Sequence, residues 1–440
     1  MNNGILIAAP MSGSGKTTVA RGLMALLLRK GYRVQPMKCG PDYIDTKFHA
    51  AACGRPSINL DLFMASAGHV VEMAERYAKE ADVCVVEGMM GLFDGYDHER
   101  GSAYEIARLL QLPVVLVVDA RSAAYSMAAL LKGFLTYRDD IRFAGVIFNK
   151  VGSERHQRML REVCDDLGID CLGCLPKSEL ATTKERYLGL DFSDWTTDRT
   201  FFDTLANLIE QHIDWRKLLR LIVRDQQEKT CGEQDEAKTE QGERERKTPY
   251  RRIAIARSQE AFSFIYQNTL DAMNGADICF FNPELNETFP ADTDLLYLPG
   301  GYPEKHVEAL AKASQTRDCI RQYVEKGGHA IAECGGMMYL CERIITDEGE
   351  FPMCGILPYS ISSRKQDRHL SLGYRQWTLN GRTYRGHEFH YSQFVGTPPP
   401  SITTVYDARG EMVACPIFRQ GNVLASYTHW YWEECMDIFH

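Results

Sequence analysis

The run Pro10-Met11-Ser12-Gly13-Ser14-Gly15-Lys16-Thr17-Thr18 carries residues suited to holding phosphate. Its glycines let consecutive backbone N–H groups turn inward on phosphate oxygens, and a helix starting there adds positive potential. Lys16 stands where a side chain reaches the β- and γ-phosphates, and Thr17 where a hydroxyl ligates Mg²⁺. Gly13, Ser14, Gly15, Lys16, Thr17 and Thr18 are therefore the expected nucleotide-binding set. One departure is Pro10, which occupies the place of the usual first glycine. The chemistry implied is binding of ATP or GTP.

A second run, Ala330-Ile331-Ala332-Glu333-Cys334-Gly335-Gly336-Met337-Met338-Tyr339-Leu340, passes from an apolar strand pattern to a helical one with a cysteine at the bend. Small residues after the cysteine allow the sharp turn that lifts a nucleophile into a cleft. A helix starting beneath Cys334 is expected to lower its pKa. The thiol needs a base, and His429 in Ala425-Ser426-Tyr427-Thr428-His429-Trp430 is the best placed, with His387 and His390 as competitors. It also needs an oxyanion donor. The backbone N–H of Gly301, in the turn Leu298-Pro299-Gly300-Gly301-Tyr302-Pro303-Glu304, is the choice.

These groups must be positioned by sheets. Apolar runs at Ile5–Ala9, Val34–Lys38, Val83–Glu87, Val114–Val118, Gly145–Asn149 and Cys171–Leu175 alternate with helical patterns. Continuous Val/Ile/Leu runs suit strands buried on both faces of a parallel sheet. From Asp225 to about Lys247, Gln, Glu, Lys, Thr and Arg dominate and cannot build a core. A new strand begins at Arg252–Ala256, followed by Asp294–Pro299, a helix around Arg317–Lys326 and a strand at His329–Glu333. The expected fold is α/β throughout, with a P-loop domain of doubly wound, mostly parallel sheet over 1–224, a charged flexible linker over 225–249, and a second α/β domain over 250–440.

Bulk properties agree. The chain has 440 residues, 45% of them hydrophobic and 25% charged. No apolar run reaches the roughly 18 residues of a membrane-spanning helix, and the first residues enter a strand directly, so no membrane or signal segment is expected. A net charge of −9 argues against nucleic acid as partner. The 14 cysteines are scattered and read as reduced thiols of a cytoplasmic protein. Cys171 and Cys174 form a C-x-x-C, but no second pair lies at zinc-site spacing.

The second half resembles a class I glutamine amidotransferase of the cobyrinic/cobyric acid synthase branch. The matching residues are Gly300-Gly301-Tyr302-Pro303-Glu304, the Cys334 bend, Gly386-His387-Glu388-Phe389-His390-Tyr391-Ser392 and His429. The first half resembles the dethiobiotin synthetase-like ATPases through its phosphate loop, Lys38-Cys39-Gly40-Pro41-Asp42-Tyr43-Ile44-Asp45 and Glu87-Gly88-Met89-Met90-Gly91-Leu92-Phe93-Asp94-Gly95. Together they resemble the cobyrinic acid a,c-diamide synthase family over all but the linker. The resemblance implies a ligase using ATP, Mg²⁺ and glutamine in cobalamin biosynthesis, with cobyrinic acid or a related tetrapyrrole as substrate. Thr17, Asp42 and Glu87 are the expected Mg²⁺ ligands, since Mg²⁺ prefers oxygen donors. Asp45 and Asp94 resemble residues used around the activated carboxylate and the incoming ammonia. Lys184, Arg186 and Tyr187 sit where the family has a substrate-proximal loop. Ammonia supply implies that the two domains pack together during turnover.

Many triad amidotransferases follow the histidine with x-Glu. Here Trp430 and Tyr431 follow His429, so the third catalytic partner is unassigned. The alternatives are a hydrogenobyrinate or a nickel-sirohydrochlorin a,c-diamide synthase, cobyric acid synthase and, more remotely, a partitioning-type ATPase switch. The sequence is silent on oligomeric state and leaves room for a homodimer.

Overall fold

The computed structural model describes residues 1–177, 199–230 and 248–434. It divides into two compact units, Met1–Glu240 and Gln241–His440. Among the described residues no helix is long and apolar enough to cross a membrane.

The first unit is a seven-stranded parallel sheet. Its strands are β1 (Gly4–Ala8), β2 (Val34–Cys39), β3 (Ile58–Leu60), β4 (Val83–Glu87), β5 (Val114–Asp119), β6 (Phe143–Val151) and β7 (Cys171–Pro176). They lie in the order β3-β2-β4-β1-β5-β6-β7. Five of the six pairings join strands read from the sequence, and the sixth adds the short β3, whose three residues give no periodic signal. Residues of β1, β2 and β4 are buried throughout, as expected for strands covered on both faces. Helices α1 (Lys16–Arg29), α2 (Ile44–Cys53), α3 (Ala67–Ala78), α4 (Ala103–Leu110), α5 (Met127–Tyr137) and α6 (Glu154–Leu167) connect them. Gly22 in α1 lets the helix Arg199–His212 approach closely: a β-carbon there would sit 2.6 Å from Ile209 Cγ1. The chain crosses from one side of β1 to the other between β4 and β5, which opens a crevice at the strands' C-terminal ends.

The helix Trp215–Thr230 runs past Asp225, where the charged segment was expected to begin. Its apolar residues Leu218, Leu219 and Ile222, all before Asp225, pack into the core of the unit. Residues 231–247 of that segment lie outside the described residues, as do Lys184, Arg186 and Tyr187.

The second unit has a six-stranded sheet built from β8 (Arg252–Ala256), β9 (Asp277–Phe281), β10 (Leu295–Leu298), β11 (His329–Glu333), β19 (Phe418–Gln420) and β20 (Val423–Ser426), in the order β19-β20-β11-β10-β8-β9. All pairings are parallel except β19 with β20. Two four-stranded sheets complete it. One contains β12 (Cys341–Thr346), β13 (Gly349–Pro352), β14 (Leu357–Ser362) and β17 (Gln393–Phe394). The other contains β15 (Ser371–Leu379), β16 (Arg382–His390), β18 (Val405–Tyr406) and β21 (His429–Trp430).

Candidate active site

In the first unit, four loops meet at the C-terminal ends of β1, β2, β4 and β6. Gly13 and Gly15 adopt φ of 77° and 102°, conformations that favour glycine. Gly15 caps α1 with no side-chain bond, so the helix start faces the loop through backbone alone. Asn149, at the end of β6, donates its amide to the Ser14 carbonyl at 3.0 Å and braces the loop from behind. Lys16 folds onto the Met90 carbonyl of the β4 loop. Burial lowers its pKa, Lys38 adds to that, and the charges of Glu87, Asp45 and Asp94 oppose it.

Beneath the loop lies a buried charge cluster. Thr17 Oγ1 donates to Glu87 Oε1 at 2.7 Å. Lys38 Nζ bonds Glu87 Oε1 at 3.0 Å and Asp45 Oδ2 at 2.5 Å, with Asp42 Oδ2 at 3.9 Å. Arg21 Nη2 holds the other Asp45 oxygen at 2.7 Å. His49 Nε2 lies 2.7 Å from Glu87 Oε2. Burial penalises the charged forms of Lys38, Asp42, Asp45 and Glu87, and their neighbours' charges act with it or against it. Burial works to lower Lys38, but Asp45, Glu87 and Asp42 overcome it and raise its pKa. Asp45 is held well below the carboxylate range by Lys38 and Arg21 despite its burial. Glu87 is held below that range by Lys38 and His49, against burial and Asp45. Asp42, pressed by burial and by the charge of Asp45, is pushed up to about 6. Its Oδ1 accepts the N–H groups of Ile44 and Asp45, both at 2.8 Å, and so starts α2. Asp94 folds back on its own loop, where its Oδ2 accepts the Gly91 N–H at 2.9 Å.

The cluster brings Thr17, Asp42, Asp45 and Glu87 together. The donors are all hydroxyl and carboxylate oxygens, the kind that Mg²⁺ selects. Among the described residues no three His, Cys, Asp or Glu side chains form a protein-only metal cage. Sequence reasoning missed Arg21 and His49, which come from helix positions without motif character. It quoted Lys38 without giving it a role, although a lysine ending a buried strand is an expensive placement that signals acidic partners.

In the second unit, Cys334 sits between β11 and the helix Gly335–Leu340 at φ 44° and ψ −108°, a strained backbone for a residue with a side chain. Its N–H donates to the Ser426 carbonyl at 2.8 Å, which fixes the bend to β20. Gly336 permits the turn, because a β-carbon there would overlap the Leu298 carbonyl. A β-carbon on Gly335 would lie 3.0 Å from the Gly301 nitrogen, so the Gly301 N–H borders the cysteine bend. The Cys334 thiol is not activated as expected. Burial pushes its pKa up, and the charge of Glu304 adds to that, while the Gly335 N–H opposes.

His429 is buried and lies against Gly300, where a β-carbon would fall 2.9 Å from Nδ1. Its ring stacks on His387 with centroids 5.0 Å apart and planes at 20°. Burial, with His429 and Arg375 nearby, drives the His387 pKa well below the usual imidazole value. His390 is engaged elsewhere, 2.7 Å from Glu388 Oε1 and stacked on Tyr427. Of the three histidines, His429 is the one against the glycine turn, while the Cys334 Sγ lies 3.9 Å from the Phe389 carbonyl. On its other side Nδ1 faces Glu333 Oε2 at 3.8 Å. Glu333 precedes Cys334 in the chain and was overlooked because a carboxylate at a strand end carries no spacing signature.

Two family descriptions match separate parts of the chain. Residues 5–188 match the CobQ/CobB/MinD/ParA nucleotide binding domain, and residues 252–435 match the CobB/CobQ-like glutamine amidotransferase domain. The hydrogenobyrinate a,c-diamide synthase of Brucella suis is 40% identical over 437 residues, which cover 97% of this chain and 98% of that one. The cobyrinate a,c-diamide synthase of Caldanaerobacter subterraneus is 38% identical over 438 residues, covering 96% and 94%. The chain belongs to the a,c-diamide synthase family. As a family member it is an enzyme with a nucleotide-binding domain followed by a glutamine amidotransferase domain. A lone nucleotide-driven switch has no use for the second unit.

Proposed function

We propose that the chain amidates the a and c carboxylates of cobyrinic acid, using ATP and glutamine. The observation that carries this reading is one chain holding both a phosphate loop over buried carboxylates and, around one glycine turn, a strained cysteine bend bordering Gly301 and a buried histidine against Gly300.

A carboxylate resists attack by ammonia because its oxygen leaves poorly. Phosphorylation solves that problem. The substrate carboxylate attacks the γ-phosphorus, ADP departs, and an acyl phosphate forms. Ammonia then attacks the carbonyl carbon and phosphate leaves, giving the amide. Lys16 and the loop N–H groups stabilise charge developing on the transferring phosphoryl group. Thr17, Asp42 and Glu87 are the residues that would hold Mg²⁺, which when bound neutralises phosphate charge. Asp45, clamped by Lys38 and Arg21, and Asp94 orient the acceptor carboxylate and the ammonia.

Glutamine supplies the ammonia. His429 takes the Cys334 proton, and the thiolate attacks the glutamine side-chain carbonyl. The Gly301 N–H steadies the oxyanion. His429 returns the proton to the departing ammonia, and water then cleaves the thioester to glutamate. Both ATP and glutamine are cytoplasmic metabolites, and the cytoplasm is where we assign the reaction.

The relatives named hydrogenobyrinate a,c-diamide synthase favour a second reading, in which the corrinoid lacks cobalt. Mass spectrometry decides between them. With MgATP and glutamine, cobyrinic acid should gain two acid-to-amide conversions faster than its metal-free counterpart. The reverse order favours the second reading. No product from either overturns the corrinoid assignment and redirects the test to nickel-sirohydrochlorin.

A further inference from the structure

A histidine that shuttles a proton needs a group on its far nitrogen to fix the tautomer and to balance the imidazolium. The sequence puts Tyr431, not an acid, two residues after His429. Glu433 does not fill that role by the contacts seen, since its Oε2 accepts the Tyr431 hydroxyl at 2.7 Å. Two further buried acids of this region are engaged elsewhere: Glu388 by Arg375 at 2.5 Å and His390 at 2.7 Å, and Glu260 by His306 at 3.2 Å.

Glu333 meets the requirement. Parallel pairing of β11 with β20 sets Glu333 beside Ser426, and the chain then turns through Tyr427 and Thr428 to return His429 toward it. The carboxylate is almost fully buried, with 1% of its side chain exposed. Three donors pin it: the Tyr297 hydroxyl to Oε2 at 2.9 Å, the Trp432 indole N–H to Oε1 at 2.8 Å and the Trp430 backbone N–H to Oε1 at 3.3 Å. Oε2 retains capacity toward His429 Nδ1 at 3.8 Å. That separation exceeds a hydrogen bond, and free enzymes often tighten such contacts only when substrate binds. On its opposite face His429 meets His387, which burial keeps uncharged.

We propose that Glu333 is the positioning residue for His429, a carboxylate supplied from the residue before the nucleophile rather than from beyond the histidine. It holds Nδ1, leaving Nε2 as the nitrogen that accepts the Cys334 proton and returns it to ammonia. The proposal rests on the reading of Cys334 and His429 as the glutaminase pair.

The test compares glutamate release from glutamine with amidation driven by added ammonium salt, in the full-length chain. The variants are Glu333→Gln, Glu333→Asp and Cys334→Ala. Glu333→Gln should lower the glutaminase kcat about 10- to 1000-fold, with KM within a few-fold and ammonia-driven amidation within twofold of the wild type. Glu333→Asp, which keeps the charge one methylene short, should recover part of the lost kcat. A wild-type glutaminase kcat in Glu333→Gln overturns the assignment. Should Glu333→Gln also lose the ammonia-driven reaction, Glu333→Asp decides: a selective kcat loss supports the role, and an unchanged kcat overturns it. Glutaminase activity surviving in Cys334→Ala would instead refute the underlying pair.

Discussion

The His429 ring lies against Gly300 so closely that a β-carbon on that glycine would overlap Cε1 and sit 2.9 Å from Nδ1. The glycine is thus a seat for the imidazole. Gly300→Ala should displace the ring and cut glutamine-dependent turnover by about 100-fold or more, since small misplacements of catalytic groups are costly. Ammonia-driven amidation should remain. Near-normal glutaminase activity in this variant would separate His429 from the chemistry.

Cys334→Ala should abolish glutamate release and leave ammonia-driven amidation intact. Because burial pushes the resting thiol up, Cys334 in the enzyme without glutamine should also alkylate slowly with iodoacetamide at neutral pH. Mass spectrometry of the labelled peptide reads this directly. Rapid alkylation would indicate a thiolate already formed.

Gly15→Ala addresses the other unit. Its φ of 102° and the overlap of a new β-carbon with the Asn149 amide both oppose the change. The loop must move to accept it, so nucleotide affinity should fall by at least tenfold. Calorimetric titration with ATP tests this, while glutaminase activity serves as a control for folding.

His306 links pH to stability. It lies 2.7 Å from Glu284 and 3.2 Å from Glu260, and these bonds, Glu260 first, raise its pKa from 6.5 to about 9. A raised folded-state pKa means that the protonated pair contributes fully below about 6.5 and is lost as pH rises through about 9. Glu260 also accepts the Tyr302 N–H through its carbonyl, so the pair braces the Gly301 turn. Thermal midpoints measured from pH 6 to 10 should fall more steeply for the wild type than for His306→Gln. Parallel curves would show that the pair contributes nothing.

Much of the architecture was legible because local chemistry is written in adjacent residues. The phosphate loop requires glycines, a lysine and a hydroxyl in one turn, and β1, β4 and β5 are nearly continuous apolar runs whose burial on both faces follows from composition. β3 was missed because three residues carry no period. The run of the helix Trp215–Thr230 past Asp225 was missed because Gln, Glu and Lys read as linker composition, although these residues also favour helix. The bend at Cys334 was readable from its small neighbours, but the state of its thiol was not. Burial is a property of the assembled core, and here it outweighs the Gly335 N–H.

The sequence by itself determined two α/β units, a phosphate loop at residues 13–18, a cysteine bend at 334 and a histidine at 429. Only the tertiary structure decided which charges share the buried space: Arg21, Lys38 and His49 around Asp45 and Glu87, and Glu333 beside His429. The reason is physical. Backbone periodicity and turn chemistry act between near neighbours in the chain. Pairing of buried charges depends on distances of a few ångströms between residues far apart in sequence, and those distances exist only once the sheets have formed.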